Sequence, residues 1–320
     1  MITGESQSAR TQLRPVVDRS TTRVGFGTGG LLRIGGARRR LDILAAARAS
    51  GITHFDTAPV YGFGESERTL GRFLRDCRSR VTLTTKFGLQ PSPAAARLAV
   101  LQRAGRRALQ MFPALRRAAV RNSGALYAAP CFTISSVQAS LEASLRALRT
   151  DHVDFFLAHQ ACAAALPGED LIGALERLRS EGKIRAFGVA TEFEWLGSVL
   201  QQRPQLAAVV QFDSDPAGSQ IDSFGERPDQ LLITYGLIGR GVSTLRERLQ
   251  AGGANNSLAD LDKETLGGML LRAAVLANRS GIVLMQSRSA ARIERNMRAA
   301  FSSVDDMRIP QLLRVLEPQT

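Results

Sequence analysis

An α/β chain closing as a single (β/α)8 TIM barrel is the fold class this sequence predicts, and three observations predict it. Strand-like and helix-like segments alternate from one end to the other. The strand segments are near-continuous runs of Val, Ile, Leu and Phe, as parallel strands covered on both faces are. No break in composition divides the 320 residues, and eight strand–helix units without a break close most simply on themselves. One domain over residues 1–320 is therefore expected.

The elements follow in order. A short strand at 22–27 precedes a helix at 37–49, which Ser50-Gly51 stops, glycine being the residue that tolerates the helix C-terminal turn. A strand at 53–57 runs through a glycine-rich loop into a helix at 65–76, and a strand from Val81 ends on Lys86. After an insertion of roughly 90–132, a helix at 135–148 leads to the strand 153–158, which delivers His159, and then to a helix at 169–179 capped by Gly182. Strand 184–190, helix 194–201 and strand 207–212 come next. The sixth unit is the weakest, because 214–227 carries Gly and Pro and supports only a short helix. Strand 231–235, helix 264–278, strand 281–286 and helix 290–300 complete the series.

Composition narrows the function classes. Apolar content of 44% and charge of 22% are those of a soluble globular protein. No apolar run reaches about 18 residues, so no membrane span is expected. The first residues lack the basic-then-apolar pattern of a signal peptide. Cys77, Cys131 and Cys162 form neither a CxxC pair nor a disulfide framework. A cytoplasmic location is the expectation. The net charge of +13 raises nucleic acid as a partner, but the cations are almost all arginine, with only Lys86, Lys183 and Lys263 as lysines. Aromatic residues are not interleaved with them, so no nucleic-acid partner is expected. Oligomeric state is not readable.

Residues 54–65 carry the chemistry. They set Asp56 and Tyr61 five residues apart where a strand runs out, and Lys86 and His159 close two later strands. Barrels of this kind hold their chemistry at the C-terminal ends of strands. Tyr61 can protonate a carbonyl oxygen that gains negative charge, but a free tyrosine titrates near pH ~10, so a neighbour must favour its phenolate. Lys86 supplies a fixed positive charge, Asp56 can hold Lys86, and His159 can orient the carbonyl or shuttle the proton. Gly25-Phe-Gly27-Thr-Gly-Gly30 also fits a dinucleotide-binding GxGxxG. Helical periodicity does not open within those glycines, however, and Asp56 lies later than the expected spacing of about twenty residues. Gly27 and Thr28 are better placed to let the backbone approach a ligand at the first strand's end.

In order and context the four residues resemble the catalytic tetrad of the aldo-keto reductase family. The likeness extends along the chain. Residues 14–28 resemble the family's N-terminal β-hairpin entering strand one, and Glu65-Ser66-Glu67 is a further mark. Residues 140–154 resemble its helix-to-strand run, and 181–189 its Gly-Lys-Ile-Arg segment. The resemblance implies Asp56, Tyr61, Lys86 and His159 as catalytic residues. It implies NADPH as cofactor, with NADH less favoured, and a small-molecule carbonyl or sugar substrate. Gln211 would bind the nicotinamide carboxamide, Tyr235 would stack on the ring with Gly236 next to it in the cofactor site, and Thr191 would stand there with Asp56. Ser287, Arg288, Arg292 and Asn296 would form the adenosine end, where arginines near a helix N-terminus suit a 2′-phosphate.

The chain also departs from the family pattern. The common Ser-Asn after Gly-Val is Ala190-Thr191, a frequent lysine is Gln286, and an acid before the last asparagine is Arg295. The insertion carries Arg97, Arg103, Arg106, Arg107, Arg116, Arg117 and Arg121 and an apolar set at helical spacing. A substrate wall, a surface for an acidic partner or lipid, and a plain rim elaboration all remain open for it. For the whole chain, an NAD(P)H-dependent carbonyl oxidoreductase is the first reading. A catalytically weak, cofactor-binding regulatory protein on the same barrel is the alternative.

Overall fold

The structure, a computed structural model, describes residues 21–92, 128–166, 168–215, 219–225, 229–251 and 257–316. Most of the expected N-terminal hairpin and of the arginine-rich insertion lies outside the described residues. The strands are β1 (Val24–Gly27), β2 (His54–Asp56), β3 (Thr82–Phe87), β4 (Val153–His159), β5 (Ile184–Ala190), β6 (Val209–Asp213), β7 (Leu231–Tyr235) and β8 (Ile282–Met285). They pair in parallel in sequence order, and β8 returns to β1, with Val24 opposite Val283, to close the barrel.

The helices are α1 (Ala37–Ala49), α2 (Glu65–Leu74), α3 (Ile134–Leu148), α4 (Glu169–Ser180), α5 (Phe193–Gln202), α6 (Ser219–Phe224), α7 (Leu237–Ala251), α8 (Lys263–Ala277), α9 (Ala290–Phe301) and α10 (Ile309–Leu316). The expected ends of α1, β5 and β7 coincide with those observed, and the weak sixth unit is indeed the six-residue α6.

Two helices were not expected. The α7 segment begins Leu-Ile-Gly-Arg-Gly, and two glycines in one turn weaken any helical propensity. Tertiary packing overrides this: Leu245 and Leu249 are buried with Leu266, Met269 and Leu270 of α8 and Leu312 of α10. Full burial contributes about 1.5–3 kcal/mol for each such side chain, more than the glycines cost.

Strand alternation separates two cores. On β4, Phe156 and Ala158 pack outward with the helices, whereas Phe155 and Leu157 fall in a cluster of strand residues alone, the barrel lumen. The lumen also holds a polar group, the fully buried His54. It faces Gly25, where a Cβ would lie 2.8 Å from the imidazole. Nδ1 of His54 lies 2.9 Å from Thr82 Oγ1, and burial lowers its pKa to about 3, so the ring is neutral. Two residues further along β2, the same face presents Asp56.

Candidate active site

Asp56 and Lys86 stand at the C-terminal end of the barrel because period-two alternation points them inward. Both are almost fully buried. Lys86 Nζ donates to both carboxylate oxygens of Asp56, at 2.9 and 2.7 Å, and to the Thr57 carbonyl at 2.9 Å. Its three protons are thereby placed. Gln211 Nε2, from β6, adds a bond of 3.1 Å to Asp56 Oδ2. Desolvation pushes the Asp56 carboxyl up and the Lys86 ammonium down, while their mutual attraction opposes both shifts.

The loop after β2 positions Tyr61. The Thr57 amide bonds to the Thr84 carbonyl at 2.9 Å, and the Tyr61 amide turns back onto Ala58 O at 3.0 Å. Gly62, Phe63 and Gly64 then all adopt positive φ, at 58°, 57° and 78°. Glycine makes two of these steps cheap; Phe63 costs about 1–2 kcal/mol. The run reverses the chain so that α2 starts at Glu65, leaving Tyr61 over the barrel mouth.

The Tyr61 ring meets His159 edge-on, with centroids 6.0 Å apart, and its own centroid lies 5.1 Å from Lys86 Nζ. Burial, reinforced by the Asp56 carboxylate, pushes the phenol well above its ordinary range. Lys86, expected from the sequence to favour the phenolate, makes no hydrogen bond to the phenol. The reason is geometric: the protons of Lys86 are committed to Asp56 and Thr57, so it reaches Tyr61 only through space. Burial, with the nearby Lys86 charge, lowers His159 to about 3 and keeps it neutral; its buried Nδ1 has no partner among the described residues.

A cavity of about 560 Å3 opens above these groups, lined by all four tetrad candidates and by Gly27, Thr191, Gln211, Tyr235, Gly236 and Arg292 from the expected cofactor set. A second cavity, of about 460 Å3, is lined by Ser287, Arg288, Arg292 and Asn296. The two share Gly27, Ile238, Gly239, Gln286 and Arg292, and so form one groove across the end of β8. The Gln286 side chain lies over the glycine run after β1, where a Cβ on Gly27 would meet it at 3.2 Å and one on Gly30 at 2.7 Å.

Thr28 is the expected site residue that lines neither cavity. It is fully buried, and its amide and hydroxyl both donate to the Asp56 carbonyl, at 2.9 and 3.0 Å, which braces the end of β2. Thr191 keeps its place at the cavity, but its hydroxyl donates to Ala161 O at 2.9 Å, leaving only lone pairs toward a ligand.

Gln160, Glu192, Arg33, Lys263 and Glu264 also line the groove, and none was singled out from sequence. Gln160 carried no motif, yet its φ of 51° marks it structurally. The scarcity of lysine was a usable signal for Lys263.

The groove fits a dinucleotide. Gln211 Oε1 is buried without a partner among the described residues and would accept from a carboxamide N–H. The missing side chains at Gly27 and Gly30 make room for Gln286 on the groove wall, and cations gather at the far end. Among the described residues no group of three or more His, Cys, Asp and Glu is arranged to hold a metal, and no helix is long and apolar enough to cross a membrane.

The family model described as "Aldo/keto reductase family" matches residues 23–317. Similar proteins include a Schizosaccharomyces pombe aldo-keto reductase whose name carries NADP(+), 25% identical over 239 residues, 69% of this chain and 59% of that protein. The NADH-specific methylglyoxal reductase of Escherichia coli is 30% identical over 182 residues, 54% of this chain and 49% of that protein. The chain thus spans about half the length of these curated relatives. The holo form of an aldo-keto reductase from Bacillus halodurans shares the fold, with a TM-score of 0.68 at 17% identity over 92% of each chain.

Proposed function

The chain belongs to the aldo/keto reductase family, and from that premise we propose that it reduces an aldehyde or ketone with NADPH, or oxidises an alcohol or sugar in reverse. The observation that carries this reading is the buried Asp56–Lys86 pair set beside a protonated Tyr61 and a neutral His159 on one cavity wall.

A reduced nicotinamide, when bound, supplies hydride to the carbonyl carbon. The chain's own residues do the rest. Tyr61 Oη donates to the substrate oxygen and gives up its proton as negative charge grows there. A phenol pushed up by burial stays protonated at neutral pH, the form a reduction needs. The Lys86 charge, 5.1 Å from the ring centroid, stabilises the phenolate as it forms, and Asp56 and Thr57 O hold that charge in place. Neutral His159 orients the carbonyl through a ring nitrogen. Gln211, tied to Asp56, offers its free carbonyl to the carboxamide, so ring orientation and proton donor are built from one connected set.

NADPH is favoured over NADH by Arg288 and Arg292 at the start of α9, where guanidinium groups and helix amides suit a phosphate monoester. Sugar-type or other oxygenated carbonyls are the substrate class. The test is single-turnover reduction of an aldehyde panel. Tyr61→Phe is expected to lower the rate by about 10^2–10^4 while NADPH binding is kept. NADPH binding without turnover on any carbonyl by the parent protein would instead establish a cofactor-binding regulatory protein.

A further inference from the structure

The second cavity is also lined by two cations that the function above does not use. Arg33 ends the 3-10 turn after β1, Leu31–Arg33, and Lys263 is the first residue of α8. Both line the cavity with Arg288 and Arg292, so cations from three separate elements converge on one space. None of the four is in an ion pair with a described acid. Among the described residues the one acid on the cavity wall, Glu264, is engaged by Arg295 at 3.8 Å.

Lys263 is the more telling residue. Of the chain's three lysines, Lys86 pairs with Asp56 at 2.7 Å and Lys183 with Glu181 at 2.8 Å. Lys263 instead sits at the N-terminus of a 15-residue helix, the end where the helix dipole disfavours a cation. The N-cap carboxylate of Asp262 is occupied by the Thr265 amide at 2.6 Å. Lys263 forms no ion pair with a described acid, so its ammonium is available to an anion in the cavity.

We propose that Arg33 and Lys263 are specificity-determining residues that close a four-cation cradle around the 2′-phosphate of NADPH. The proposal rests on the reading that the groove holds a nicotinamide dinucleotide. With the nicotinamide at the Tyr61 end, the adenosine end would fall in the second cavity, which the 3-10 turn, α8 and α9 all line. All four cations line the cavity that would hold the phosphate. NADH, lacking that dianion, gains nothing from Arg33 and Lys263.

The test is calorimetric binding of NADPH, NADH and adenosine 2′,5′-bisphosphate to the parent protein, Arg33→Ala, Lys263→Ala, the double variant and Lys263→Arg. Each alanine substitution is expected to weaken NADPH and the bisphosphate about tenfold, the scale of a charged hydrogen bond, with NADH changed less than about twofold. Lys263→Arg is expected to retain most of the affinity. A parent protein that prefers NADPH, with the preference unchanged in the double variant, overturns the cradle and leaves the proposed function standing. Equal weakening of NADPH and NADH also overturns it, since the two residues would then hold the shared part of the dinucleotide. A parent protein that binds neither dinucleotide overturns the proposed function itself.

Discussion

The two cavities at the mouth of the barrel handle charge in opposite ways. In the first, Asp56 and Lys86 are buried, mutually paired and fixed by adjacent strands of the sheet. In the second, Arg33, Lys263, Arg288 and Arg292 are exposed, without described acidic partners, and project from a turn, a loop and two helix starts. A buried charge must be satisfied by the fold itself, because desolvation costs several kcal/mol per ion. An exposed cation carries no such demand and is free to take its partner from a ligand. The first cavity is therefore a finished electrostatic object, and the second is completed by what binds.

The comparison breaks most visibly at Lys86. Lys86→Met leaves Asp56 buried beside Gln211 without its cation, and a loss of about 3–5 kcal/mol in unfolding free energy is expected from denaturant melts. The double variant Asp56→Asn, Lys86→Met removes both charges and should recover most of that loss. A double variant as unstable as the single one would show that the pair's cost is not electrostatic. Alanine at Arg288, by contrast, should leave stability within about 0.5 kcal/mol, as surface changes do.

A smaller effect follows from two histidines, the buried His54 of the lumen and the half-buried His159 of the mouth. His54 and His159 both titrate near 3 in the folded state, below the free value of 6.5. A depressed folded pKa contributes stability that is complete above the free value and is lost as pH falls from there toward 3. Each histidine then lowers stability by about 1.4 kcal/mol per pH unit below its free pKa. The raised carboxyl groups of Asp56 and Glu67 act in the opposite sense at lower pH. His159→Gln is therefore expected to flatten the slope between about pH 6.5 and 5 by one histidine's share. An unchanged slope in unfolding melts would mean that His159 is protonated in the folded state.

The contrast also explains what the sequence made legible. Asp56, Lys86 and His159 announced themselves because each stands at or next to the end of a strand, and alternation along a strand is a local signal. Tyr61 was legible through the glycines that follow it, two of which supply positive φ. Arg33 and Lys263 carry no such mark. They are 230 residues apart in the chain, and they share a cavity only because β1 pairs with β8 and α8 packs onto α9. Thr28 misled for a related reason. Its place beside Gly27 read as a ligand contact, yet its hydroxyl is committed to the Asp56 carbonyl. Helix α7 was missed because its glycines deny the local propensity that its burial against α8 restores.

Salt gives the finest probe of the difference between the cavities. Exposed charges are screened within about 10 Å at 0.1 M ionic strength, and buried pairs far less. Raising salt from about 0.05 to 0.5 M should therefore weaken NADPH binding several-fold through the exposed cations, and NADH binding much less. The single-turnover rate at saturating cofactor depends on Lys86 and Tyr61, which lie in the desolvated cavity, and should stay nearly constant. Parallel salt curves for the two dinucleotides would place the sensitivity at the pyrophosphate they share. A rate that falls with salt at full occupancy would show that water and ions reach the Asp56–Lys86 pair, and that the first cavity is not the closed electrostatic object its geometry describes.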